Sequence, residues 1–131
     1  IMHVKEPVHL CGWSLGGRIA LQTAAMLEDK GVENIFIWML DTVDIKTVIP
    51  SGAGVIPESR YSKCEYSIAH AALQPKVSDK NSAVTLFKAM DTCTEGISLG
   101  FTQEVLDVFP DNGMQQHVEG KLKVVNLDGV H

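Results

Sequence analysis

The chain has 131 residues, 45% of them hydrophobic and 21% charged. These are the proportions of an ordinary globular sequence, and the length suits at most one ordinary domain. Eleven Lys and Arg against sixteen Asp and Glu leave a net charge of −5 with no basic run, which argues against a general nucleic-acid or anionic-membrane binder. No window approaches the roughly 18 apolar residues of a membrane span, and residues 1–7 lack a signal-peptide layout. Cys11, Cys64 and Cys93 are widely spaced with no CxxC, so they read as free thiols in a reducing, cytoplasmic setting. Cys11, in an apolar strand, reads as a core residue. The abrupt start and the stop at His131 suggest a fragment of a longer chain.

Residues 7–12 read as a short buried strand and residues 15–30 as an Ala-rich helix, with Ile19, Leu21, Ala24, Ala25 and Leu27 on its apolar side. Between them lies Gly12-Trp13-Ser14-Leu15-Gly16, a Gly-x-Ser-x-Gly pattern. A serine on a sharp strand-to-helix turn presents its hydroxyl to a base, and the new helix aims free N–H groups at any negative charge that develops there. The alternative is a Gly-rich turn with an incidental serine. Gly31 is expected to cap the helix. Residues 35–40 are a continuous apolar run, as in a parallel strand covered on both faces. Strand, helix and strand make a βαβ unit. Asp41 follows the second strand as Ser14 follows the first, so both belong to the ligand edge of a parallel sheet.

From Thr42 to about Asn81 three prolines and Gly52-Ala53-Gly54 break the pattern, with weakly helical pieces near 43–48, 58–73 and 75–82. This stretch reads as a lid inserted over the sheet edge, about 43–81, or as an ordinary helical crossover. Residues 83–89 read as a third strand with Asp91 just beyond it. Residues 92–98 read as a loop, 101–108 as a short helix and 110–113 as a turn. Residues 121–127 read as a fourth strand, with 128–131 as its exit loop.

A serine hydroxyl needs a base, and the base needs an orienting carboxylate. His131 follows a strand late in the chain, in the serine–acid–histidine order of this architecture. His117 precedes the last strand and belongs at the opposite sheet edge. His9 is expected to be packed or satisfied in the first strand, His70 to lie on a lid helix and His3 at a frayed end. Asp41 and Asp91 both suit the acid on these grounds, while Asp128 reads as a loop-shaping residue. The histidines have no metal-ligand spacing.

Gly12-Trp13-Ser14-Leu15-Gly16-Gly17, with Ala20, Leu27 and Met39-Leu40-Asp41-Thr42, resembles the thioesterase domain that ends nonribosomal peptide synthetases and related polyketide synthases. Residues 84–89 and Asp128-Gly129-Val130-His131 resemble that family's later segments. The resemblance covers nearly the whole chain and is weakest over 43–80. It implies an α/β-hydrolase fold, here a partial one with helices on both faces of the sheet. It also implies a triad of Ser14, Asp41 and His131. Free-standing editing relatives place the acid after the later strand, which would select Asp91. The backbone N–H of Leu15 would be one oxyanion donor, the other belonging to strands absent from this sequence. Trp13, beside the serine, would line the acyl pocket, although a tryptophan there also suits core packing. The implied substrate is a peptidyl or acyl thioester on the phosphopantetheine of a carrier protein. No directly bound cofactor or metal is implied. An esterase or lipase on the same scaffold, or a non-catalytic module, are the rival readings.

Overall fold

The computed structural model describes residues 5–48, 76–98 and 100–131. The elements in chain order are β1 (Val8–Trp13), α1 (Leu15–Glu28), β2 (Ile35–Leu40), α2 (Ile45–Val48), β3 (Ser82–Asp91), α3 (Thr94–Ser98), α4 (Gln103–Val108), a 3₁₀ turn (Gln115–His117) and β4 (Lys123–Val130). The four strands form one parallel sheet in the order β1-β2-β3-β4. This is the parallel α/β sheet with flanking helices expected from the alternation of apolar runs and a helical run.

The register fixes which residues share a face. Val8 pairs with Ile35, and Ile35 with Ser82, so Val8, Leu10 and Gly12 align with Ile35, Ile37 and Met39. That face meets α1. The buried stripe of α1 is Gly17, Arg18, Ala20, Leu21, Ala24 and Ala25, and its glycine and three alanines let the helix lie close to the strands. Its Ala20, Leu21, Ala24 and Ala25 join Val32, Ile35, Ile37, Met39, Val77, Val84, Leu86, Met114, Val118 and Leu122 in one apolar core. Ile19, expected in the stripe, is exposed instead. It precedes Ala20 by one position, about 100° around the helix, and falls outside the narrow contact.

The opposite face carries His9, Cys11 and Trp13 of β1, all exposed. His9 stacks on Phe36 at 5.0 Å and accepts a 3.4 Å hydrogen bond from Trp38 Nε1, so it is satisfied in its strand as expected. Cys11 is a free, exposed thiol, not a core residue. The period of two sends its side chain away from α1.

Three local expectations change. Residues 76–82 are not helical; Val77 bridges Val118, and a turn leads into β3. Residues 94–98 form the short helix α3 rather than continuing a loop. The fourth strand runs on to Val130, through Asp128 and Gly129, because the ladder with β3 continues past a register shift between Ala89 and Asp91. The helical piece near 43–48 is α2. The remainder of the lid, with His70 and Cys64, lies largely in 49–75, outside the described residues, as does His3.

Candidate active site

A parallel sheet delivers all its strand ends to one edge. Here that edge receives Ser14 after β1, Asp41 after β2, Asp91 at the end of β3 and His131 after β4. Two of these junctions are built alike. Ser14 N–H donates to Leu40 O at 2.7 Å, and Asp41 N–H donates to Phe87 O at 2.7 Å. Each is the last rung of its ladder. The chain then leaves the sheet sharply, with φ of 51° at Ser14 and 46° at Asp41. For residues other than glycine this conformation costs about 1–3 kcal/mol, and such strain concentrates at functional sites.

Close packing holds the Ser14 turn. A Cβ on Gly12 would lie 2.1 Å from the Gly16 backbone, and one on Gly17 would lie 1.8 Å from Thr42 Oγ1. Both glycines are therefore steric requirements of the strand-to-helix crossing. Gly16 is not, since its Cβ would meet nothing within 4 Å. Thr42, fully buried, donates from Oγ1 to Ser14 O at 3.1 Å and ties the turn to the loop after β2. Leu15 opens α1, so its N–H lies in the helix's unpaired first turn, directly beneath Ser14.

His131 Nδ1 and Asp41 Oδ2 are 2.5 Å apart, across 90 positions of sequence. The other Asp41 oxygen accepts from Ala89 N–H at 3.0 Å and from Asn112 Nδ2 at 3.3 Å. Burial disfavours the charged Asp41 carboxyl, but the bonds from His131, Ala89 and Asn112 and the charge of His131 outweigh it. The carboxyl therefore stays below the ordinary aspartate range. The His131 ring also stacks on Trp13, with centroids 5.1 Å apart. Trp13 is 61% exposed, so it lies against the site rather than in the core. Among the described residues no hydrogen bond joins Ser14 Oγ to His131. Asp91 turns elsewhere. Its Oδ2 accepts from Gly129 N–H at 3.1 Å, bracing the end of β4.

Sequence reasoning passed over three residues. Asn112, 1% exposed, lies in the 110–113 turn, which looked like connection only. Thr42 had no role assigned. Asp44 holds a buried polar cluster behind the site. It contacts Arg18 at 3.5 Å, His117 Nε2 at 2.7 Å, Thr47 Oγ1 at 3.0 Å and Gln116 Nε2 at 2.9 Å. His117 was expected at the opposite sheet edge; its ring is instead engaged by Asp44, in the loop after β2, because the segment before β4 folds back against that loop. The buried strand residue Lys88 donates from Nζ to Leu106 O at 2.6 Å and Phe109 O at 2.7 Å. Burial prevails over the attraction of Asp107, Asp41 and Asp111 and lowers its proton affinity. Among the described residues no cluster of His, Cys, Asp and Glu suits a metal ion. No helix among them is long and apolar enough to cross a membrane.

Residues 2–51, under half of the chain, match the family model described as the thioesterase domain. Among solved structures, the Vlm2 thioesterase domain is similar with a TM-score of 0.55 at 20% identity, over 95% of this chain and 56% of that one. A second Vlm2 thioesterase structure, with genetically encoded 2,3-diaminopropionic acid and a bound dodecadepsipeptide, matches with a TM-score of 0.50 at 18% identity, over 95% of this chain and 60% of that one. The NocB thioesterase domain from the Nocardicin cluster matches at 0.47 and 18% identity, over 95% of this chain and 55% of that one. No curated protein matches the sequence. The chain thus spans somewhat more than half the length of these domains. The thioesterase resemblance read from residues 12–17 and 39–42 therefore recurs in a family match over residues 2–51 and in an α/β-hydrolase fold shared with the Vlm2 thioesterase domain.

Proposed function

We propose that this chain is the catalytic portion of a thioesterase domain that releases a peptidyl or acyl chain from the phosphopantetheine thioester of a carrier protein. The observation that carries the proposal is the convergence at one sheet edge of a strained Ser14 and an Asp41–His131 pair. Ser14 is the nucleophile, His131 the base and Asp41 the residue that orients it. With Nδ1 engaged by Asp41, the other ring nitrogen is the one left to accept the serine proton.

In the reaction, a bond forms between Ser14 Oγ and the thioester carbonyl carbon as the serine proton passes to His131. The oxyanion is met by Leu15 N–H and by a second donor supplied outside the described residues. The carbon–sulfur bond then breaks, and His131 gives its proton to the departing thiol. Water, or an amine or hydroxyl of the acyl chain itself, resolves the acyl-serine through the same base. The products are a free acid in the first case and a macrocycle in the second. Both are compatible with a family in which one member holds a dodecadepsipeptide. Trp13, exposed beside His131, lines the acyl path. The direct requirements are a carrier partner and its acyl substrate, and the expected setting is the cytoplasm. The acid assignment favours this reading over an editing thioesterase, since Asp41 and not Asp91 meets His131.

A fluorophosphonate probe applied to the full-length protein tests the proposal. Labelling is expected at Ser14 and is expected to vanish in Ser14→Ala. Folded protein that leaves Ser14 unlabelled would sink the catalytic reading.

A further inference from the structure

We propose that Asn112 is the positioning residue of the acid, clamping Asp41 to the loop that carries the serine turn. The role rests on the thioesterase reading above. The turn from 110 to 113 places Asn112 with φ of 52°, a left-handed conformation that asparagine tolerates better than most residues. Its side chain is enclosed, and its amide nitrogen reaches two acceptors at once, Asp41 Oδ1 at 3.3 Å and Thr42 O at 3.2 Å. That geometry dictates which end of the amide faces the acid. Both neighbours are acceptors only, so the NH₂ must point to them. Among the described residues the other end, Oδ1, is buried with no hydrogen-bond partner. A buried acceptor left unmet costs stability, so the arrangement makes sense for what the NH₂ does rather than for the turn itself.

What the NH₂ does is close a short chain of bonds. Thr42 Oγ1 holds Ser14 O, and Asn112 holds both Thr42 O and Asp41. From behind, Asp44 N–H donates to Asn112 O at 3.0 Å. Asp41 is therefore fixed on three sides: His131 takes one oxygen, while Ala89 N–H and Asn112 share the other. Removing the Asn112 donor frees the carboxylate to tilt. It also leaves the carboxylate's charge to the contact with His131, so the pH dependence of the Ser14 reaction should move upward. The other charged groups around this position are Lys88 from β3, Asp111 beside Asn112, Asp107 on α4, and Asp44 with Arg18 and His117 behind the turn.

The test measures the rate of fluorophosphonate labelling of Ser14 against pH, in the full-length protein and two variants that both keep the left-handed turn. Asn112→Gly deletes the amide, and Asn112→Asp sets an acceptor against Asp41. Asn112→Gly should label about tenfold more slowly, the worth of a hydrogen bond to a charged group, with its pH midpoint moved upward. Asn112→Asp should move the midpoint further upward, because it sets a second negative charge beside the Asp41–His131 pair. A residue that only stabilised the turn would lower the melting temperature and leave both midpoints in place; that result overturns the proposal while the thioesterase reading stands. Wild-type rates and midpoints in both variants overturn it equally. Unlabelled wild-type protein overturns the thioesterase reading, and the Asn112 role falls with it.

Discussion

At the residue scale, Ser14 and Asp41 share a backbone solution. Both donate the last rung of a parallel ladder from their backbone N–H and then turn with positive φ. Neither is the residue type that adopts this backbone without cost. The choice between Asp41 and Asp91 turns on the last strand. Spacing alone leaves both at the ligand edge, because both follow strands. The register shift near the end of β3 and β4 separates them: Asp91 is spent on Gly129 N–H, while Asp41 meets His131. Asp41→Asn should therefore reduce thioester hydrolysis by about 10³–10⁴-fold, the order seen when the orienting carboxylate of a serine triad becomes an amide. Asp91→Asn removes a brace from the exposed end of β4 and should leave hydrolysis within a fewfold of wild type. Steady-state kinetics on a model acyl thioester decide it, and the reverse ranking would refute the assignment.

At the scale of elements, the βαβ unit was legible because the cues are local. β2 is a run of six apolar residues, and the structure returns the same bounds, Ile35–Leu40. β4 ends three residues later than its sequence predicts, because Asp128 and Gly129 signal a turn, and an outlying strand with exposed residues tolerates them. The core position expected of Cys11 fails for the same reason in reverse, since its side chain is exposed. Apolar character marks a strand but does not say whether a face is covered. The glycines of the serine turn show a finer distinction. The Gly-x-Ser-x-Gly pattern gives Gly12 and Gly16 equal standing, yet the close approaches are at Gly12 and Gly17. Gly17→Ala should destabilise by about 1–3 kcal/mol through overpacking against Thr42. Gly16→Ala, with open space around the new methyl, should hold or raise stability by up to about 1 kcal/mol, as alanine favours a helix. Melting temperatures of the two variants check this, and equal losses would show that the pattern, not the packing, governs the turn.

At the scale of the whole molecule, the residues that escaped the sequence reading are those whose partners lie far along the chain. Asn112 meets Asp41 across 71 positions, and His117 meets Asp44 across 73. Asn112 reads as turn chemistry and His117 as a residue of the opposite sheet edge, because the sequence shows only their local contexts. Asp44 gathers α1, α2 and the segment before β4 into one buried cluster, and this has a consequence for acid stability. Burial alone would raise the Asp44 proton affinity, but the hydrogen bonds from His117 and Thr47 and the charges of His117 and Arg18 prevail and hold it low. Asp41 is held low in the same sense. An unfolded aspartate titrates near about 3.9. Above that pH both states are ionised and the stabilisation is complete. Below it the unfolded chain binds protons that the folded chain refuses, so stability falls until the pH passes the folded values. Unfolding by denaturant should therefore show little pH dependence from these groups above about pH 5 and a decline toward pH 3 and below. Asp44→Asn should flatten that decline. It should also lower the neutral-pH stability by about 3–5 kcal/mol, the cost of breaking a buried ion pair by removing one member. An unchanged acid slope in this variant would show that the cluster does not set the molecule's acid limit.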